Sequence, residues 1–269
     1  MEEKRKEVLI IIPAYNEAKT IEPVLDALMQ PPISDIADVL VMNDASSDGT
    51  QYICKRRGLP VITHVFNLGY GSGLQVGYKY AFRRGYNYVI QMDSDGQHDP
   101  SNVPKLYEAL KTADENGNYP DIVIGSRFVP GAVSFPVPTA KKIAFVWFRT
   151  LIKAATGQKI MDPTSGLQGL SKRTFWFYSR YAHFDDKYPD ANMLMQMKML
   201  GYGVKEIPAV MYARTEGTSM HSGIIKPAIY MFRMTLSIMA VWTRVKLFKM
   251  DLGAIDEQTN IENLQKNIL

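Results

Sequence analysis

Three times before residue 75 an apolar run of strand length ends in a polar loop, and a stretch with helical spacing follows. Val8 to Pro13 leads into Ala14, Tyr15, Asn16 and Glu17. Asp38 to Met42 leads into Asn43, Asp44 and the turn Ser46 to Thr50. Val61 to Phe66 leads into Asn67, Gly69, Gly71 and Gly73. A fourth apolar run, Tyr88 to Met92, closes on Asp93, Ser94 and Asp95. Strands that alternate with helices form a parallel sheet with right-handed crossovers. In such sheets ligands sit beyond the carboxyl ends of the strands. The four polar loops therefore fall at one edge and line one crevice.

Asp93 and Asp95 are two apart at a strand end, so both carboxylates leave the sheet on the same side. Hard divalent cations such as Mg²⁺ or Mn²⁺ take oxygen ligands of this kind and complete their shell with a substrate diphosphate. An Asp-rich turn is the plainer reading of the same residues. A calcium loop does not fit, because its glycine belongs at the sixth position and Gly96 stands fourth.

The loops Pro13 to Glu17, Asn43 to Thr50, Asn67 to Gly73 and Asp93 to Gln97 resemble, in order, the signature of family 2 glycosyltransferases of the GT-A fold. Within that family the chain is similar to the polyprenyl-phosphate branch, typified by dolichyl-phosphate mannose synthases. Gly125 to Phe128, Asp162 to Gly166, Gly201 to Pro208 and Arg214 to Ser219 extend the match, which covers about residues 7 to 220. The implied fold is α/β: a Rossmann-like, mostly parallel sheet with flanking helices, followed by a C-terminal amphipathic helix. The implied reaction is metal-dependent, inverting transfer of a sugar from a nucleoside-diphosphate sugar to a lipid-linked acceptor.

The resemblance also assigns residues. Pro13, Tyr15 and Glu17 of the first loop and Asp44 of the second would hold the nucleobase and ribose. Asp93, Ser94, Asp95, Gln97 and Arg127 would line the diphosphate, with Asp93, Asp95 and Gln97 around the metal. A metal at Asp95 would neutralise charge on the departing phosphate. Arg127 and Arg214 would share that work, since guanidinium groups match phosphate geometry and keep their charge. Asn43, Ser46, Ser47 and Asp48 read as turn and helix-cap residues. His221, just past the Arg214 loop, is a further candidate to approach the metal or diphosphate; His64 and His183 carry no signal, and His98 reads as part of a helix start.

The acceptor decides the remaining chemistry. A lipid phosphate is already ionised near neutral pH, its second pKa being about 6, and needs no base. A sugar hydroxyl needs one within hydrogen-bond reach. Asp162 matches a position that the polyprenyl-phosphate branch keeps near its acceptor. Asp190 stands at a helix start, where hydroxyl-accepting members place a base. Both acceptors stay open: a polyprenyl phosphate, or a growing lipid-linked cell-surface polysaccharide.

Rival readings are weaker. Gly71-Ser72-Gly73 opens a helix and Asp93 follows twenty residues later, close to a dinucleotide fingerprint. Its third glycine is misplaced at Gly77, and the two earlier acidic loops are left unexplained. No nucleic-acid motif is present, and the basic residues are interleaved with aliphatic runs. A non-catalytic scaffold that binds nucleotide sugar is opposed by the intact Asp93, Asp95, Arg127 and Arg214.

At 269 residues, 46% apolar and 22% charged, the chain is long enough to bury a sizeable core. One cysteine, Cys54, excludes an intramolecular disulfide and suits a reducing compartment. The short first apolar run argues against a secretory signal, and no run reaches the length of a spanning helix. Charge is uneven although the formal net is only +4. No acid lies between Asp121 and Asp162, a stretch carrying Arg127, Lys141, Lys142, Arg149, Lys153 and Lys159. None lies between Glu216 and Asp251, where Lys226, Arg233, Arg244, Lys246 and Lys249 accompany Trp242 and many aliphatics. Such a segment is expected to lie in an anionic membrane interface, with Trp242 at head-group level, unless it packs on the domain or a second subunit. The expected organisation is a catalytic domain over residues 1–220, an interface helix over 221–250 and a tail over 251–269. That tail could pack on the domain or pair subunits in a homo-oligomer. The expected location is cytoplasmic, peripheral on the inner face of the membrane.

Overall fold

Val8–Ala14 forms a strand buried at every position, which requires apolar cover on both faces of the sheet. That strand, β1, is the centre of a computed structural model that describes residues 6–137, 139–180, 183–214 and 225–248. The chain continues through α1 (Ile21–Leu28), α2 (Ile33–Ile36), β2 (Ala37–Asn43), α3 (Thr50–Arg56), β3 (Val61–Thr63), α4 (Tyr70–Arg83) and β4 (Tyr88–Gln91). Then come α5 (Asn102–Leu110), β5 (Ile122–Ser126), α6 (Thr139–Thr156), β6 (Gln168–Ser171), α7 (Lys172–Ser179), α8 (Ala191–Met199), β7 (Val204–Pro208) and α9 (Ile225–Lys246).

The sheet runs β3-β2-β1-β4-β6-β5-β7. β1 pairs in parallel with β2, from Val8↔Ala37 to Ala14↔Asn43, and with β4, from Val8↔Tyr88 to Ile11↔Gln91. β6 is antiparallel to both β4 and β5, and β5 is parallel to β7. Two reversals restore direction, so β5 and β7 point the same way as β1. The loops after β1, β2, β3, β4, β5 and β7 therefore emerge at one edge. Because β6 runs backwards, the segment before it, Asp162 to Gly166, arrives at that same edge. One antiparallel strand thus adds a chain segment to the crevice that a wholly parallel sheet would send to the other side.

Alternate residues of β1 serve two cores, as the two-residue period of a strand demands. Leu9 and Ile11 join the cluster beneath α4, α6, α7, α8 and α9; Val8, Ile10 and Ile12 join the cluster beneath α1 and α5. Cys54 is buried in the second cluster, as a small packed residue. α9 packs against α8 and α6, burying Met234, Ile238 and Val241. Each such side chain contributes about 1.5–3 kcal/mol on burial. The opposite side of α9 leaves Ile229, Phe232, Leu236, Met239 and Trp242 exposed, and α6 leaves Ile143, Val146 and Trp147 exposed. The Trp147 indole N–H donates to Thr235 Oγ1 at 3.0 Å and ties the two helices together. No helix among the described residues is long and apolar enough to cross a membrane.

Candidate active site

Beyond β4 the chain turns through Asp93, Ser94 and Asp95 to Gly96, whose φ of +76° suits glycine. The Tyr70 hydroxyl donates to Asp93 Oδ1 at 3.0 Å, and the Gln97 N–H donates to Asp95 Oδ1 at 3.0 Å. Neither Oδ2 receives a hydrogen bond among the described residues. Asp95 Oδ2 lies 3.7 Å from Arg214 Nη1, and Asp93 Oδ2 lies 3.8 Å from His98 Nε2. Burial raises both carboxyls above their ordinary range; the Glu17 charge adds to this at Asp93, and the Asp93 charge adds to it at Asp95. Burial pushes His98 down to about 4, so the ring is neutral near pH 7. Its Nδ1 accepts the Asp93 N–H at 3.1 Å, which leaves the proton on Nε2, the nitrogen nearer the Asp93 carboxylate. A Cβ at Gly166 would stand 3.0 Å from Asp93 Oδ2, and glycine keeps that space open.

The first and second loops are laced together. Asn16 N–H donates to Ser46 Oγ, Ser47 N–H to Asn16 Oδ1, Ala18 N–H to Asp48 Oδ2 and Glu17 N–H to Thr50 Oγ1, all within 3.0 Å. Asn16 and Ala45 hold φ of +56° and +58°, conformations costly outside glycine that persist here because the loops over-determine them. Asp44 sits deep in this arrangement, accepting the Leu68 and Gly69 N–H groups at 2.8 and 2.9 Å and contacting His64 Nδ1 at 2.8 Å. Tyr15 stands 49% exposed at the crevice mouth. Glu17 Oε1 accepts from Arg214 Nη2 at 2.6 Å, so Arg214 bridges the first loop and the Asp95 loop. Asp185 and Asp186 close over the third loop so tightly that a Cβ at Gly71 would be 2.1 Å from the Asp185 carbonyl.

Arg127 follows β5 and is clamped by Asp162. Its Nε and Nη2 donate to the two carboxylate oxygens at 2.8 and 2.6 Å, and its backbone N–H donates at 2.9 Å. Asp162 is fully buried. Glu206 of β7 accepts the Met161 and Asp162 N–H groups at 2.6 and 2.8 Å, fixing the loop that carries the clamp. Arg127 Nη1 has no hydrogen-bond partner among the described residues and is not a buried orphan, so it remains available at the crevice. Arg149 of α6 lies over the Phe128 ring at 4.6 Å and donates to the Met161 carbonyl at 2.6 Å, adding a second guanidinium to the cluster.

Asp190 caps the start of α8, yet its side chain does not cap the helix. Its Oδ2 accepts the Tyr230 hydroxyl of α9 at 2.6 Å. Burial pushes this carboxyl up to about 6; the Tyr230 bond opposes the shift, and the Asp93 and Asp185 charges add to it.

The Glycosyl transferase family 2 profile matches residues 9–178. The chain belongs to that family. An undecaprenyl-phosphate mannosyltransferase of Micrococcus luteus is 32% identical over 230 residues, spanning 82% of this chain and 90% of the relative. A polyprenol monophosphomannose synthase of Mycolicibacterium smegmatis is 27% identical over 222 residues, covering 80% and 81%. Among solved structures, glucosyl-3-phosphoglycerate synthase of Mycobacterium tuberculosis in complex with UDP shares the fold at a TM-score of 0.65. The identity is 18%, with 88% of this chain and 80% of that one covered. The same enzyme with Mn²⁺, UDP and glucosyl-3-phosphoglycerate gives a TM-score of 0.62 at 19% identity, covering 88% of this chain and 79% of that one. The protein is thus a glycosyltransferase of GT-A type, placed by its relatives in the polyprenyl/dolichyl-phosphate sugar synthase branch.

In this family 2 glycosyltransferase half of the sequence-predicted residues meet at one edge: Glu17, Asp93, Asp95 and Arg214 in one group, Arg127 and Asp162 in an adjoining one. Others are turned elsewhere. The Ser94 hydroxyl is buried and donates to the Pro13 carbonyl at 2.9 Å, so both join the first loop to the Asp95 loop from within. The Gln97 amide donates toward the Tyr212 carbonyl at 3.4 Å. Asp162 has both oxygens engaged by Arg127 and no face open to a substrate proton. His221 and the tail from Asp251 lie outside the described residues, as do the side chains of Lys141 and Lys226. The sequence reading missed Tyr70, His64, Arg149, Glu206 and Tyr230. Arg149 left a signal as one of several bases in an acid-free stretch, and Tyr70 and Glu206 lie in segments that match the family; His64 and Tyr230 are positioned by contacts over 20 residues or more.

Proposed function

We propose that this glycosyltransferase moves a sugar, with inversion, from a nucleoside-diphosphate sugar to a membrane lipid-linked acceptor, most directly a polyprenyl phosphate. One observation carries the reading. The undonated Oδ2 atoms of Asp93 and Asp95 lie among the charges of Arg127 and Arg214, both of which act on the Asp93 carboxyl. Two carboxylates short of donors fit a divalent cation, and Asp93 and Asp95 would hold it, with Gln97 beside them. Bound there, Mg²⁺ or Mn²⁺ would act as a Lewis acid on the diphosphate. The Mn²⁺ and UDP in the mycobacterial synthase support this donor chemistry.

The remaining roles follow from the chain's own residues. Tyr15 walls the base, and Asp44, held rigid by the third loop, accepts from it. Arg127 Nη1 and Arg214 offset charge on the departing diphosphate. Asp162 keeps Arg127 in place and is a positioning residue, in place of the acceptor role that the resemblance implies. The phosphate nucleophile needs no base, and the polyprenyl-phosphate relatives support that acceptor. The exposed apolar sides of α6 and α9 would rest on the cytoplasmic leaflet and bring the crevice to the lipid head group.

The Asp190 carboxyl, raised to about 6 beside the crevice, favours a second reading in which it deprotonates a glycan hydroxyl. Turnover of undecaprenyl phosphate with UDP-, GDP- and dTDP-sugars, in Mn²⁺ and in chelator, separates the two. Product should form with one donor class, require metal, carry an inverted anomeric centre and persist in Asp190→Asn. Loss of chemistry in Asp190→Asn with donor binding intact would assign a hydroxyl acceptor. Wild-type rates in chelator would remove the metal.

A further inference from the structure

A recess of about 360 Å³ opens between α9 and the loop that precedes α8, and none of the residues assigned to the donor lines it. It is lined by Asp185, Lys187, Tyr188, Arg233, Met234 and Ser237. Lys187 and Arg233 are exposed, and neither side chain has an ion-pair or hydrogen-bond partner among the described residues. Asp185 is not free to neutralise them by direct contact. Its Oδ1 accepts the Lys187 and Tyr188 backbone N–H groups, each at 2.9 Å, and its Oδ2 accepts from Asn192 at 2.7 Å and Ser237 at 3.4 Å. Two cations and one carboxylate leave a net charge of about +1 around the recess, by the ordinary charges of these side chains near pH 7. A phosphodiester carries one negative charge and balances it; a phosphomonoester, at about −1.5 to −2, overshoots.

The setting narrows the ligand further. Phe232 and Leu236 immediately precede Arg233 and Ser237 on α9, and with Ile229 and Met239 they form an exposed apolar stripe along the recess. A ligand with one diester charge and a long apolar body meets both surfaces at once. Guanidinium and ammonium groups at the margin of an apolar helix face suit lipid phosphates.

We propose that this recess is a head-group site for an anionic glycerophospholipid, whose phosphodiester lies between Lys187 and Arg233 while its acyl chains follow the α9 stripe. The inference rests on the reading that α9 meets a membrane, and goes beyond it by naming a stoichiometric site. It predicts recognition of a bulk lipid, separate from the lipid that receives the sugar.

The test titrates the full chain with dihexanoyl phosphatidylglycerol below its micelle concentration, with inorganic phosphate as the free-anion arm and phosphatidylglycerol vesicles as the membrane arm. The short-chain lipid should bind saturably at one site. Lys187→Gln and Arg233→Gln should each weaken it about tenfold, Arg233→Lys should restore part, and Lys55→Gln on α3 should change nothing. Equal weakening by Lys55→Gln would show diffuse electrostatics and overturn the site. Inorganic phosphate that binds as tightly as the lipid would overturn the lipid assignment. Vesicle binding without saturable short-chain binding sinks this inference alone, whereas no binding to anionic vesicles sinks the membrane reading beneath it.

Discussion

Asp190 shows what a single residue gains from its surroundings. Its ordinary value is 3.8, and in the fold burial carries it to about 6 while Tyr230 pulls the other way. The native state therefore holds a proton that the unfolded chain releases between these values, and stability contributed by this group falls as pH rises through the window. Two pKa units correspond to about 2–3 kcal/mol. Asp190→Asn should match the wild type in urea denaturation at pH 4 and exceed it by about that amount at pH 7. Parallel stability curves across the window would mean that Asp190 is solvated like any surface carboxylate. Asp162 makes the complementary point. From the sequence it reads as a carboxylate near the acceptor, because its loop matches a family motif. In the fold it is wholly buried against Arg127, and a carboxylate with that partner holds another residue still. The motif located the segment; the role depended on a long-range pair 35 residues apart, which no local pattern encodes.

At the level of elements, α9 packs on the domain, one of two alternatives that the sequence posed, and leaves an outward face for the membrane contact proposed above. Met234, Ile238 and Val241 pack it onto the domain, while Phe232 and Met239, exposed by 66% and 58%, face outward. An outward apolar stripe contributes little to folding and much to interfacial binding, so substitution there should separate the two. Phe232→Ser with Met239→Ser should leave the melting temperature within about 2 °C, as surface substitutions shift stability by at most about 0.5 kcal/mol. The same pair should weaken binding to anionic vesicles at least tenfold in a flotation assay. A large loss of thermal stability with vesicle binding unchanged would make the stripe an intramolecular or subunit contact. The strands, the polar loops and the amphipathic character of α9 were legible because periodicity and turn chemistry are local. The reversed strand β6 was not, since its pairing with β4 and β5 is a choice among distant partners. That reversal decides where Asp162 to Gly166 arrives.

At the scale of the molecule, the proposed donor site draws on segments from Pro13 to Arg214, and few of its contacts are local. Arg214 joins Glu17 across 197 residues, and Asp44 holds the Gly69 turn across 25. A ligand seated across such a site binds the folded chain and has no counterpart in the unfolded one. Nucleoside diphosphate at a hundredfold excess over its Kd adds about 2.7 kcal/mol to stability. For a domain of this size that raises Tm by roughly 5–10 °C. Because the Oδ2 atoms of Asp93 and Asp95 lack donors and repel a bare diphosphate, the rise should require Mn²⁺ or Mg²⁺ and vanish in chelator. In Asp95→Ala it should vanish even with metal present. The response to UDP, GDP and dTDP then reports which base the Tyr15–Asp44 end accepts. An equal rise in chelator and in metal would mean that Arg127 and Arg214 alone carry the diphosphate, and the carboxylate pair would have to be assigned to the acceptor side.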